Sequence, residues 1–221
     1  DIQTDVIDAY TEDALRQAIA QKPDLLVFAG DYLQYSFVRE FPSNVAEFNR
    51  LLHELGYDKV PSIVVEGDVE DKLEEKWQSL FEGLPAVILD PSGRTKWRDW
   101  EVIGLTRNDS MYGVTLEAST PDDFTIIIGH NPNFALQRPQ ADLYLAGHTH
   151  GGQVNLPWFG PLITFSDLPN DQVQGLTKLE NGATLIVSRG IGMERVDAPR
   201  IRFLCPPEIV VIDILPISAV Q

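Results

Sequence analysis

Four short segments of the chain end alike: an apolar run, usually a glycine, then a side chain able to hold a cation. They span residues 25–31, 63–68, 125–130 and 143–150, and end at Asp31, Asp68, His130 and the pair His148 and His150. Histidine makes the pattern selective, because three of the chain's four histidines stand at these ends. The fourth, His53, lies in an amphipathic stretch far from the motifs and reads as structural. A lone aspartate after a strand, such as Asp31, is often simply a helix N-cap. In the company of three histidines it reads as a ligand.

The elements around these ends suit that reading. Residues 9–21 carry Ala14, Leu15, Ala18 and Ile19 at helical spacing, with Thr11 as an N-cap candidate. Pro23 stops that helix, and residues 25–28 (LLVF) read as a buried strand running into Gly30-Asp31. A second helix, capped by Ser43, is expected to present Val45, Phe48, Leu51, Leu52 and Leu55. The strand at 62–65 (SIVV) follows and runs into Gly67-Asp68. Further strands are expected at 86–89, 100–105, 125–128, 143–146, 183–187 and 209–214. Continuous apolar runs mark strands buried on both faces. Strand ends in α/β sheets converge on one edge, where ligands generally bind. A βαβαβ first half and a strand-rich second half predict an α/β (α+β) fold, two sheets packed together and flanked by helices.

The ordered set Gly30-Asp31, Gly129-His130 and Gly147-His148-Thr149-His150 resembles the calcineurin-like metallophosphoesterases. The run GHTHGGQV at 147–154 is the most specific part and is similar to a bacterial branch of predicted membrane-associated phosphoesterases. SRGIG at 188–192 and IRFLCPPEI at 201–209 point to the same branch, so the resemblance covers essentially the whole chain. It implies two mixed β-sheets face to face with helices outside (an αββα sandwich), one domain over residues 1–221, and two divalent cations. One cation would be held by Asp1, Gln3, Asp31 and His150, the other by Asp31, Asp68, His130 and His148, with Asp31 bridging. Two cations about 3.5–4 Å apart activate a bridging water and neutralise phosphoryl oxygens during in-line attack. Carboxylate and imidazole donors suit Mn, Fe or Zn better than Ca. The implied activity is hydrolysis of a phosphodiester or pyrophosphate, with Asp31, His130 and Arg189 at the reaction centre. Arg189 has two readings, a bidentate clamp on a phosphate oxygen or a structural salt bridge.

Three positions depart from the family pattern. Gln3 stands for a histidine ligand, Asp68 for a neutral asparagine, and Val69 for the histidine that helps protonate the leaving group. Losing a general acid typically costs about 10²–10⁴ in rate, so Val69 favours substrates whose leaving group departs without a proton. The alternative is a degenerate member that binds metal or acts as a scaffold without turnover. Glu70 and Asp71 are expected in the solvated first turn of a helix, where acids favour the dipole. Asp1 opens the chain where the family has the end of a strand, which predicts an apolar strand leading into it.

Composition narrows the partners. The formal charge is −16, with 33 acidic and 17 basic residues, and no run of Lys and Arg is present to track a nucleic-acid backbone. An acidic surface repels phosphates, so a phosphate-ester substrate, lipid- or nucleotide-linked, needs local positive charge of the kind bound cations supply. Cys205 is the only cysteine, which excludes an internal disulfide and leaves the compartment open. No apolar run reaches the roughly 18 residues needed to span a bilayer. Contact with a membrane surface would therefore come through an upstream segment or through the aromatic, Pro-rich stretch 157–169, whose Trp158, Phe159 and Phe165 would face lipid, cap the substrate or pack on a sheet edge.

Overall fold

The computed structural model describes residues 1–34, 41–116, 123–194 and 200–216. Helix α1 (Ala9–Ala20) is capped by Asp8, whose carboxylate accepts from the Thr11 backbone N–H at 2.9 Å. Thr11, the expected cap, is instead buried inside the first turn, because the Asp8 carboxylate at the N-cap position accepts from the free Thr11 N–H. Helix α2 (Phe41–Leu55) begins ahead of Ser43 and buries Val45, Phe48, Leu51 and Leu52 as their spacing predicts.

Strands β1 (Leu26–Ala29), β2 (Ser62–Val65) and β3 (Ala86–Ile88) form a parallel three-stranded sheet in that order. The second half supplies β4 (Gly93–Trp97), β5 (Trp100–Gly104), helix α3 (Arg107–Tyr112), β6 (Phe124–Ile128), β7 (Leu143–Ala146), β8 (Asn155–Leu156), β9 (Gly160–Pro161), β10 (Gly175–Lys178) and β11 (Thr184–Val187). Six of these build a mixed sheet in the order β10-β11-β7-β6-β5-β4, parallel through its centre and antiparallel at both edges. β8 and β9 form a separate two-stranded hairpin.

Side chains alternate across each strand, and the three cores follow. Ile63 and Val65 of β2 meet Val102, Ile126, Ile128, Leu145 and Ile186 between the sheets. Val64 of the same strand turns the other way onto α1, α2 and the 3₁₀ helix Asp71–Phe81, joining Phe48, Leu52 and Trp77. Ile127, Tyr144, Leu185 and Val187 face outward from the larger sheet onto Phe134 and Ala135. The chain is thus two sheets back to back with helical cover on both outer faces.

The segment 209–214, expected as a strand, has no strand pairing among the described residues. Ile209, Val210, Val211 and Ile212 are 37–59% exposed. These residues line one wall of a cavity of about 550 Å³ whose other walls include β1, Leu145 and Ile186. Without a neighbouring strand to pair with, an apolar run keeps its composition but not its ladder.

Candidate metal centre

Five of the seven ligand candidates sit where a parallel strand ends, Asp1 and Gln3 being the exceptions. β1 leads to Asp31, β2 to Asp68, β6 to His130, and β7 to His148 and His150. The β1 and β2 ends touch directly. A Cβ on Gly30 would lie 2.6 Å from Gly67 Cα and 2.7 Å from His130 Nδ1, so only glycine permits this approach. Gln3, Asp31, His148 and His150 all adopt left-handed backbone, with φ of 34°, 54°, 70° and 47°. For non-glycine residues this costs on the order of 1–3 kcal/mol each, and such strain collects at functional sites.

The side chains converge. His130 is fully buried; its Nδ1 donates to the Ala29 carbonyl at 2.7 Å, which turns Nε2 toward Asp31 Oδ1 at 3.4 Å and Asp68 Oδ2 at 3.7 Å. A carbonyl on one ring nitrogen orients the other, as is usual for histidines that ligate a metal. His148 is oriented likewise: Nε2 donates to the Phe165 carbonyl at 2.9 Å and Nδ1 lies 2.8 Å from Asp68 Oδ2. Asp1 Oδ2 accepts from the His148 backbone N–H at 2.6 Å, while its Oδ1 lies 3.6 Å from His130 Nδ1. Two groups of donor atoms result, each with every atom within 4.8 Å of the others: Asp1, Asp31 and His130, and Asp68, His130 and His148. His130 is common to both, and Asp31, the expected bridge, belongs to the first, its Oδ1 lying 3.4 Å from the His130 Nε2 atom.

The donor set fits cations on a second count. Asp1 Oδ1, Gln3 Oε1, His130 Nε2 and both ring nitrogens of His150 are buried without a hydrogen bond. Buried polar atoms rarely go unpaired, because desolvation costs about 1–3 kcal/mol each. Burial also holds His150 down at about 3, so its imidazole is neutral and its lone pair available. Gln3 turns its amide nitrogen to Glu194 Oε2 at 3.1 Å and keeps the oxygen, its only metal-binding atom, unbonded. Burial drives the Asp31 carboxyl upward, but the His130 charge beside it wins and leaves it at about 2. Burial likewise lowers His130, and Asp31 and Asp68 together override this to about 10.

Two residues of the site were not anticipated. Glu70, expected in solvent, is 1% exposed, and its carboxylate accepts from the backbone N–H groups of Asp31 (2.9 Å), Tyr32 (2.8 Å) and Gly67 (2.8 Å). The tight β1 and β2 ends leave three inward-facing N–H groups with no strand to bond, and Glu70 satisfies them all. Burial, then the Asp31 charge, pushes this carboxyl up to about 8. Arg107, at the start of α3, donates from Nε to Asp68 Oδ1 at 2.6 Å. It follows β5, another strand of the parallel set, so the strand-end rule extended to 100–105 would have reached it. Arg189, one of whose readings was a phosphate clamp, forms an ion pair with Glu208, which also accepts from the Arg189 backbone N–H at 2.9 Å. His53 bonds the Glu82 carbonyl at 3.2 Å on α2, away from the centre.

The calcineurin-like phosphoesterase family model matches residues 1–152, which contain every one of these strand ends. The chain belongs to the calcineurin-like phosphoesterase family. It is 41% identical to the metallophosphoesterase YkuE of Bacillus subtilis over 45% of this chain and 34% of that protein. It is 27% identical to the UDP-2,3-diacylglucosamine pyrophosphatase LpxG of Chlamydia trachomatis over 91% of this chain and 77% of the relative. Phosphodiesterase YaeI of Escherichia coli is 25% identical over 92% of this chain and 74% of its own length. This phosphoesterase therefore spans about a third of YkuE in that match and about three quarters of the other two. Among the described residues, no helix is long and apolar enough to cross a membrane.

Proposed function

We propose that this phosphoesterase hydrolyses a phosphodiester or pyrophosphate bond in a lipid- or nucleotide-linked substrate, using two divalent cations (Mn, Fe or Zn). Asp1, Gln3, Asp31 and His150 would hold one, and Asp31, Asp68, His130 and His148 the other. The observation that carries this reading is the pair of donor groups, Asp1–Asp31–His130 and Asp68–His130–His148, which bring five of these seven residues together side by side. Cations held there supply the activated water and the positive charge that a phosphoryl group needs during in-line attack.

The protein's own residues do the rest. Glu70 and the Ala29 and Phe165 carbonyls fix Asp31, His130 and His148 before any substrate arrives, and preorganised charge of this kind is the largest usual contribution to catalysis. Arg107 stands at the rim, 25% exposed, and brings a permanent positive charge to an otherwise acidic surface. Two relatives named as a pyrophosphatase and a phosphodiesterase support the bond type.

The test combines metal analysis of the purified protein with a panel of phosphomonoesters, diesters and nucleotide-diphosphate lipids. Bound transition metal and turnover of diesters or pyrophosphates are expected. His148→Ala or Asp31→Ala should each remove at least one equivalent of metal and abolish turnover. Full activity in either variant overturns the assignment, and bound metal with no turnover of any substrate favours a scaffold.

A further inference from the structure

Beyond His150 the chain enters an exposed stretch without charge. From residue 155 to 165 (NLPWFGPLITF) no side chain carries charge, in a protein of formal charge −16. β8 and β9 fold this stretch into a hairpin, with Leu156 opposite Gly160 and the left-handed residues Trp158 (φ 68°) and Gly160 (φ 74°) shaping the turn. Trp158 at the tip is 99% exposed and Phe159 76%. Leu162 and Ile163 follow at 61% and 53%. A second segment widens the patch: Val154 bridges Phe203, the Phe203 N–H donates to the Gln153 carbonyl at 2.8 Å, and Phe203 and Leu204 are themselves about half exposed.

Single apolar residues on a surface are ordinary, but a contiguous group marks an interaction site. The shape and charge of this one select its partner. A protein partner usually meets apolar groups in a fitted pocket with a polar rim, whereas this hairpin is a convex tip that a fluid phase accommodates without a matching cavity. Tryptophan is the residue most at home where hydrocarbon meets water. The strongly acidic body would be repelled by anionic lipid, so the uncharged hairpin is the part able to enter a bilayer. It is also continuous with the candidate centre, because the Phe165 carbonyl that ends it accepts from His148 Nε2 at 2.9 Å and Gly152 packs against Pro161.

We propose that the β8–β9 hairpin inserts into the surface of a lipid bilayer and holds the metal centre at the level of the headgroups. The clause about the centre rests on the phosphoesterase reading above; insertion itself does not. A phosphate ester carried by a membrane lipid would then reach the ligands without leaving the bilayer.

Co-sedimentation of the protein with phosphatidylcholine vesicles, alongside quenching of tryptophan fluorescence by brominated lipid, tests insertion without reference to turnover. Partition onto these vesicles is expected. It should weaken when phosphatidylglycerol is added at low salt and recover at high salt, as screening removes the repulsion. The double variant Trp158→Ser/Phe159→Ser should lose about tenfold or more in partition coefficient, since two large apolar side chains no longer leave water. Val87→Ser, at an exposed apolar site on edge strand β3, serves as control and should partition as wild type. Circular dichroism and metal content should match wild type in both. No partition by the wild type, or equal partition by the double variant, overturns the proposal. So does self-association that the double variant abolishes in the absence of vesicle binding, which would make the hairpin a contact between copies. Partition without turnover of any substrate would sink the phosphoesterase reading alone, and turnover without partition the hairpin proposal alone.

Discussion

Arg107 Nε donates to Asp68 Oδ1 at 2.6 Å, with the two side chains only 25% and 30% exposed. Asp68 occupies a position where the family pattern has a neutral asparagine, and a carboxylate there adds a negative charge beside the second group of ligands. The structure pairs that charge with a guanidinium whose own proton is held more tightly by the same bond. The net charge near the cation is thus returned toward that of the neutral pattern, with a cation-bearing side chain gained at the rim.

The two residues should behave as a unit. Arg107→Ala removes the cationic partner of Asp68 Oδ1, leaving its other oxygen beside His148, and is expected to lower kcat/KM by about tenfold or more, while Asp68→Asn in the wild-type background leaves Arg107 without its charged anchor. In the Arg107→Ala/Asp68→Asn double variant much of the loss should be recovered, with a coupling energy of about 0.5–3 kcal/mol. Kinetics and metal stoichiometry on the four proteins of the cycle check this. Strict additivity would show that the pair does not tune the centre.

Glu70 makes a different claim on the same loops. Three backbone N–H groups end on its carboxylate, and Glu70→Ala would strand all three in a buried site. At roughly 1–3 kcal/mol for a buried donor left unpaired, the variant should lose several kcal/mol or fail to fold. Glu70→Gln keeps the volume and one acceptor oxygen, so it should fold with a moderate loss of about 1–3 kcal/mol. Its Asp31 backbone would be less firmly held, and reduced metal occupancy at equal metal concentration is expected. Chemical denaturation with and without metal separates the two effects. Unchanged occupancy in a destabilised Glu70→Gln would make the residue purely structural.

The strand ends at Gly30-Asp31, Gly129-His130 and Gly147–His150 were legible because strand periodicity and ligand chemistry coincide there. Buried runs such as Ile126–Ile127–Ile128 alternate between two cores, and a short run of β-branched residues bounded by a glycine suits a two-sided strand. Glu70 was not legible, since an acid at the start of a helical stretch is usually solvated, and only the inward N–H groups of two sequence-distant loops make burial favourable. Arg107 was missed for a related reason: its partner is 39 residues away. β4 (GRTKW) and β10 (GLTK) are edge strands of half-polar composition, stabilised by neighbours more than by their own residues. The run at 209–214 failed in the opposite sense, apolar enough for a strand but with no ladder partner among the described residues.

β1 bears on that last point. It pairs with β2 alone, which leaves its other edge open among the described strands and facing the cavity of about 550 Å³. Ile2 and Gln3 donate to the Asp31 carbonyl at 2.8 and 2.9 Å, and Thr4 bridges Leu33 in parallel, so residues placed ahead of Asp1 would be directed along β1. A form carrying about five apolar residues ahead of Asp1 is expected to add a parallel strand there, to shield 209–214 and to raise Tm by several degrees. Amide exchange at Val27 and Ala29 should slow. An extension that stays exposed, with Tm unchanged, would remove the reason to expect a strand leading into Asp1.

Val69 is where the chain departs furthest from its family in chemical terms. Its backbone N–H donates to Asp31 Oδ1 at 3.0 Å, so the position lies against the centre, but its side chain has no proton to give. Cleavage should therefore depend steeply on how well the leaving group departs unaided. Diesters and pyrophosphates with acidic leaving groups are expected to turn over, and alkyl monoesters to be nearly inert. Arg107, held beside Asp68, can stabilise negative charge on a departing oxygen but cannot protonate it, because a guanidinium keeps its protons throughout this pH range. Val69→His should then raise turnover of poor leaving groups more than of good ones, up to the 10²–10⁴ range, roughly, of general acid catalysis. A plot of log kcat/KM against leaving-group pKa reads the difference directly: steep for wild type, shallower for Val69→His. If wild type already hydrolyses alkyl monoesters as readily as activated diesters, the slope is flat and another group supplies the proton. Glu70, pushed up to about 8 and bonded to the Asp31 backbone, would be the first residue to replace.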